Sequence, residues 1–181
     1  MKKFRSKSGS VAIVLLAVLF CIVFGVWGTI RTVKSIVFNI ECNGHLKRAA
    51  DASTIELAKQ ELTTAITYLE KKEITTGYTS VLYKTPDEDI GFWYKNLKES
   101  FAELEKVKPE TTQLEKTNLL MKLRETLLDE KASKSGGVEV TSPDGISIFP
   151  NNVAYCFFGW VSSFIAPLIA VIIAFVGTLR Y

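Results

Sequence analysis

Cys42 and His45 stand three residues apart, a spacing that puts two metal ligands on one face of a helix. A structural zinc takes four ligands, and His45 is the one histidine in the chain. An oligomer could supply a second pair around a symmetry axis; the plainer reading is a solvated histidine beside a membrane-proximal thiol. The same scarcity removes most Ser-His and Cys-His nucleophile schemes, and no serine sits in an elbow motif. Asp87-Glu88-Asp89 could offer carboxylate oxygens to a hard cation, but no EF-hand spacing surrounds them. An acidic first turn is also what a helix N-terminus prefers. No phosphate-cradling glycine loop, dinucleotide fingerprint or haem-attachment motif occurs. These residues predict no catalytic group, no metal ligand and no cofactor, hence a protein that is not an enzyme.

A different kind of chemistry is concentrated in ITTGYTSVLYKTPDEDIGFWY, residues 74–94, where Tyr78, Tyr83, Phe92, Trp93 and Tyr94 cluster. Phe92, Trp93 and Tyr94 are consecutive, so on a helix they fan around about 200° and cannot all face one core. At least one must reach a loop, another subunit or solvent. The bland reading folds the loop back over them; the sharper one makes them a recognition surface, since Tyr and Trp dominate interface hot spots.

The elements that position these residues are set by a segregation of charge. Residues 8–30 and 153–179 contain no Asp, Glu, Lys or Arg, whereas 31–152 carry all 19 acids and 17 of the 22 basic residues. The other five basics are Lys2, Lys3, Arg5, Lys7 and Arg180. The net charge of +3 therefore sits at the flanks of apolar runs and does not mark nucleic-acid binding. Residues 11–30, as a helix, cover roughly the 30 Å of a bilayer core, and residues 153–179 are long enough to span with tilt. Trp27, Tyr155 and Trp160 suit an aromatic belt on the non-cytoplasmic side. Basic flanks before the first run and after the second put both termini in the cytoplasm and residues 31–152 outside, as in a bacterial inner-membrane protein. Arg31 and Lys34 oppose that signal but are outnumbered. The first run exceeds a signal-peptide core, lacks an A-x-A site, and has Phe20 before Cys21 where lipoprotein processing wants a small residue, so it is expected to be retained.

Small residues recur every four positions in both runs: Ala17, Cys21, Gly25 and Thr29 in the first, and Ser162, Ala166, Ala170, Ala174 and Thr178 in the second. Such stripes let helix backbones approach closely, between the two spans or between copies. Pro167 should kink the second span, with Ser162 and Ser163 able to bond the groups it frees. Neither span has an ionisable residue, which argues against a pump or transporter. The three cysteines, Cys21, Cys42 and Cys156, leave one thiol in the polar part and no internal disulfide framework there.

Within the polar part, residues 46–72 read as a helix burying Ile55, Ala58, Leu62, Ala65, Ile66 and Leu69, with Glu56, Lys59, Glu61 and Glu70 on the other face. Ser53 and Glu56 form a candidate capping box. Asn43-Gly44 is the expected break, although the segment could also continue from the first span as one long helix. A second helix starts at Thr85-Pro86 with Glu88 as reciprocal cap, buries Ile90, Trp93, Leu97, Phe101 and Leu104, and stops before Pro109. A third runs from Thr112, boxed with Glu115, to Lys134. The period then changes to two: residues 138–141 and 146–149 alternate around Ser142-Pro143-Asp144-Gly145, which predicts a β-hairpin.

The expected protein is mainly α. A basic tail (1–10), a transmembrane helix (11–30), a helical extracytoplasmic domain (31–137), a hairpin (138–149), a second transmembrane helix (153–179) and a two-residue cytoplasmic end (180–181) follow in order. This layout resembles that of the sensing half of bacterial chemoreceptors, an arrangement without a shared motif. The expected function is non-enzymatic: an ectodomain that binds or scaffolds envelope partners, with the bilayer and self-association or other membrane proteins as partners and no nucleic acid. The alternative is a ligand-sensing accessory subunit with its pocket around residues 78–94. A membrane-permeabilising oligomer is disfavoured by the size and charge of the ectodomain.

Overall fold

A computed structural model describes residues 3–80, 84–129 and 138–149, together with 157, 159, 161, 163–165, 167–169 and 171–172; for residues 3–14 and 17 the backbone alone is described. The chain is mainly helical and divides into two compact units, Met1–Val33 with Asn151–Tyr181, and Lys34–Pro150.

The apolar unit is built on helix α1 (Lys3–Phe38). Among the described residues this is the one helix long and apolar enough to cross a membrane, and its apolar window is unburied. The second apolar run is described only at scattered helical positions. There Gly159 lies so close to the indole of Trp27 that a Cβ would collide with the ring, and the Ser163 hydroxyl donates to the Gly159 carbonyl at 2.7 Å.

The polar unit begins inside the same helix. After Phe38 the backbone passes through a π-helical turn (Asn39–Asn43) into α2 (Gly44–Ala50) without a break. The expected break at Asn43-Gly44 is therefore corrected: Gly44 keeps helical angles (φ −61°, ψ −41°). A Cβ there would stand 3.1 Å from the Asn39 carbonyl oxygen, so glycine fits the widened turn. The break comes at Asp51–Thr54, where short polar side chains compete with the helix for backbone groups. Thr54, not Ser53, then caps α3 (Ile55–Lys71) by accepting from Leu57 N at 3.2 Å.

The remaining helices start where the sequence signals them, with one shift. The Thr85 N–H and hydroxyl both donate to the Glu88 carboxylate, but this box opens a 3₁₀ turn (Pro86–Glu88). Helix α4 (Ile90–Glu105) begins after it, capped by Asp89, which accepts from Phe92 N at 3.1 Å. Its Ile90, Trp93, Leu97 and Leu104 are buried and Phe101 half-buried, as the periodicity requires. Helix α5 (Gln113–Leu127) carries the expected Thr112–Glu115 box. It stops at Leu127, not Lys134, because Leu128 turns extended (φ −122°, ψ 138°). Residues 130–137, including the expected Ser135-Gly136-Gly137 cap, lie outside the described residues.

The hairpin expectation needs the largest correction. Strand β2 (Glu139–Val140) pairs antiparallel with β1 (Leu128–Asp129), which follows α5, and not with residues 146–149. Thr141 N extends the ladder to the Leu127 carbonyl at 2.8 Å. Gly145, at φ 76°, closes the 142–145 turn into a 3₁₀ turn (Ile146–Ile148) held by Ile146 N to Pro143 O and Ile148 N to Gly145 O. Ile146 and Ile148 are both buried, which is why the segment reads as alternating without being a strand.

One core joins these elements. Phe38, Cys42, Leu46, Ala49, Leu62, Leu69, Ile90, Leu97, Leu104, Leu127 and Ile146 are all at most 3% exposed. Filling it with residues from every helix is what stabilises a polar unit that has no disulfide among its described residues.

Candidate functional site

The polar unit carries an open cleft of about 760 Å³. One wall is the end of α1 and the π turn (Ser35, Phe38, Asn39, Asn43). A second is the Pro86–Glu88 turn with the start of α4, and a third is β1, β2 and the 141–147 segment. Three local devices hold these walls. The Thr85–Glu88 box fixes the acidic turn. A bridge between Tyr78 and Asp89, with Thr79 N donating to Glu88 O at 3.0 Å and Ile90 N to Gly77 O at 2.9 Å, ties that turn to the loop behind it. Across the cleft, the buried Trp93 donates its indole N–H to the Thr141 carbonyl at 2.6 Å, pinning the third wall to α4.

The electrostatics of the lining are one-sided. Asp87, Asp89, Asp129, Glu139 and Asp144 contribute carboxylates, and no Lys, Arg or His lines it among the described residues. Asp87, Glu139 and Asp144 are exposed and make no ion pair with another described residue. Phe92 stands at the rim, 63% exposed, while Pro143 and Ile146 are buried in the opposite wall. In the π turn, Asn43 donates Nδ2 to Asn39 Oδ1 at 3.0 Å and keeps a buried Oδ1 with no partner among the described residues. Such a surface can attract a cation through several carboxylates and stack an apolar stem on Phe92.

The aromatic residues singled out by sequence are divided by the fold. Phe92 and Trp93 line the cleft, Trp93 mainly as core. Tyr94 points elsewhere: its hydroxyl donates to Glu70 Oε1 at 2.6 Å, and burial together with that carboxylate pushes its pKa up to about 12. Tyr78 sits under the Lys84 ammonium, 5.7 Å from the ring centroid. Tyr83 lies outside the described residues. Of the small-residue stripes, Cys21 is exposed, a Cβ on Gly25 would meet nothing within 4 Å, and the Thr29 hydroxyl donates to the Gly25 carbonyl at 2.8 Å. The Ala17 side chain and Ser162, Ala166, Ala170, Ala174 and Thr178 lie outside the described residues.

The Cys42–His45 pair is taken apart as well. Cys42 is fully buried, and desolvation pushes its thiol up to about 12, which keeps it uncharged and a poor metal ligand. His45 is not solvated as expected: its Nδ1 bonds Glu61 Oε2 at 2.6 Å. Glu61, expected on the outer face of α3, is 9% exposed and also accepts from Arg48 Nε and NH2 at 3.1 and 2.7 Å. Burial alone would raise the Glu61 pKa; the bonds and charges of His45 and Arg48 outweigh it and hold the carboxyl below its usual range. This cluster clamps α2 to α3. Among the described residues no group of three or more His, Cys, Asp or Glu could hold a metal ion.

Sequence reasoning missed Asp129, Glu139, Asp144, Asn39 and Asn43 as cleft residues. They come from separate segments that only the tertiary fold brings together. The charge excess around Asp87–Asp89 was the one local signal. The chain matches no protein-family model, and comparison with curated proteins and with solved structures gave no match.

Proposed function

We propose that this chain is a membrane-anchored, non-enzymatic binding protein whose polar unit holds a basic segment of an envelope partner in the acidic cleft. The observation that carries this reading is the lining: five carboxylates, no cationic side chain among the described residues, and Phe92 exposed at the rim. A Lys or Arg side chain suits it on both counts, with an apolar stem for Phe92 and a charged head for Asp87, Glu139 and Asp144. An open cleft fits a segment of polypeptide better than an engulfed small ligand. In this reading α1 crosses the bilayer, the 153–179 run crosses back, both termini are cytoplasmic, and residues 31–152 face the exterior or periplasm. The ligand-sensing alternative, with all the 78–94 aromatics in one pocket, draws less support because Tyr94 is engaged with Glu70.

The test is charge reversal on the full chain, purified from native membranes in mild detergent. Asp87→Lys with Asp144→Lys should remove co-purifying protein. Glu56→Lys with Glu105→Lys, equal in charge change but away from the cleft, should leave it. Loss in both pairs, or in neither, refutes the cleft as the partner site.

A further inference from the structure

Strand β2 has an edge that nothing in the polar unit uses. Leu128 pairs with Val140 and Asp129 with Glu139 in antiparallel register, and Thr141 N donates to the Leu127 carbonyl at 2.8 Å. The hydrogen-bonded pairs are therefore 127 with 141 and 129 with 139, and 128 with 140 is the non-bonded pair between them. The N–H and C=O of Val140 consequently point away from β1. Neither has a partner among the described residues. Ser142, two residues on, has the same parity and an equally unbonded backbone, and the proline after it favours extended geometry there. The β1 side is closed, because Leu128 N–H already donates to Arg124 O at the end of α5.

This open edge lies in the wall of the acidic cleft, which Glu139, Val140 and Ser142 line. A sheet of two strands is marginal in water, and unbonded edge groups are a template for a third. Side chains alternate along β2, so exposed Glu139 and Thr141 share one face and half-buried Val140 takes the other. Glu139 stands directly across from Asp129, like charge against like, an arrangement that weakens a sheet. A cationic side chain beside Glu139 would offset that repulsion. On the other face an apolar side chain would extend the pair made by Leu128 and Val140.

We infer that the partner's segment adds to β2 as a third strand, bonding the backbone of Val140 and Ser142, with Lys or Arg alternating with apolar residues along it. This rests on the cleft as the partner site and goes further, fixing a backbone pairing and a basic–apolar alternation. A helical segment does not fit, since its backbone groups are bonded internally and have nothing to offer the edge.

The probe is a fluorescein-labelled seven-residue peptide of alternating lysine and valine, titrated by anisotropy against the full chain in mild detergent. Two further forms are N-methylated, one at the valines and one at an equal number of lysines. On a docked strand the N–H groups of one set face β2 and those of the other face away. One methylated form should bind like the unmodified peptide, and the other about tenfold more weakly or worse. Glu139→Lys puts opposite charges across the sheet, so the fold is not threatened, and should weaken the unmodified peptide by a similar factor. Equal binding of the two methylated forms overturns strand addition even where Glu139→Lys still abolishes binding, and in that case the acidic cleft stands. No binding of the unmodified peptide, or binding indifferent to Glu139→Lys, also overturns the inference. The charge-reversal co-purification scores the cleft itself separately.

Discussion

Replacing Glu61 should destabilise the polar unit by an amount that depends on pH. One oxygen of this nearly buried carboxylate receives three bonds, from His45 at 2.6 Å and from Arg48 at 3.1 and 2.7 Å. Truncating one partner of a buried charged cluster costs about 3–5 kcal/mol when the other charge is stranded. Here the Arg48 side chain is 63% exposed and can re-solvate, which lowers the cost of Glu61→Ala to about 2–3 kcal/mol. For a unit of this size each kcal/mol moves Tm by about 4 °C, so a fall of roughly 10 °C is expected at pH 7. The sign of the pH dependence follows from a carboxyl held below its ordinary value. Its stabilisation is complete above the unfolded-chain value near 4.3 and is lost as pH falls through the lower folded value. The gap between wild type and Glu61→Ala should therefore be full at pH 7 and at pH 5, and shrink below pH ~4. Thermal melts of the full chain in detergent, followed by near-ultraviolet circular dichroism, would read it. A variant that melts with the wild type at pH 7, or a gap that persists unchanged at pH 3, would refute the clamp.

Three further outcomes are expected. Trp93→Phe keeps an aromatic ring but removes the pyrrole part of the indole, losing the bond to Thr141 and leaving a void in the buried wall; it should cost about 2–3 kcal/mol and speed hydrogen exchange at Val140 and Thr141. Gly44→Ala should destabilise by about 1 kcal/mol, because its Cβ stands 3.1 Å from the Asn39 oxygen, where an ordinary mid-helix glycine would gain a comparable amount on the same change; a stabilised variant would contradict the π turn. Cys42 should resist maleimide at pH 8 in the folded chain and react fully in denaturant, since burial holds the thiol near 12.

What could be read from the sequence was whatever short range decides. The Thr112–Glu115 box, the buried stripe of α4 and the need for one of Phe92, Trp93 and Tyr94 to leave the core all follow from positions within one helix turn or face. Phe92 is the residue that leaves. What could not be read depends on contacts distant in sequence. Glu61 sits three residues after Ala58 and four before Ala65, so it borders the apolar stripe, but its burial is tolerable only because His45 and Arg48 arrive from another helix. Strand β2 has the same alternation whether its partner is 146–149 or the chain after α5. The pairing is decided by Leu128 turning extended and by Gly145 curling its own segment into a 3₁₀ turn. The π turn has no sequence signature beyond Asn39, Asn43 and Gly44. The cleft inherits all of these, since each wall comes from a different segment.

What occupies the cleft in the native membrane decides whether the polar unit is a binding domain. Benzoyl-phenylalanine placed at Phe92 and irradiated in intact cells should give one discrete cross-linked protein partner, lost when Asp87→Lys and Asp144→Lys are added. The same photoreactive residue at Leu114, which is 70% exposed on α5, should give none. No adduct from position 92, or the same adduct from both positions, would contradict the cleft as a binding site.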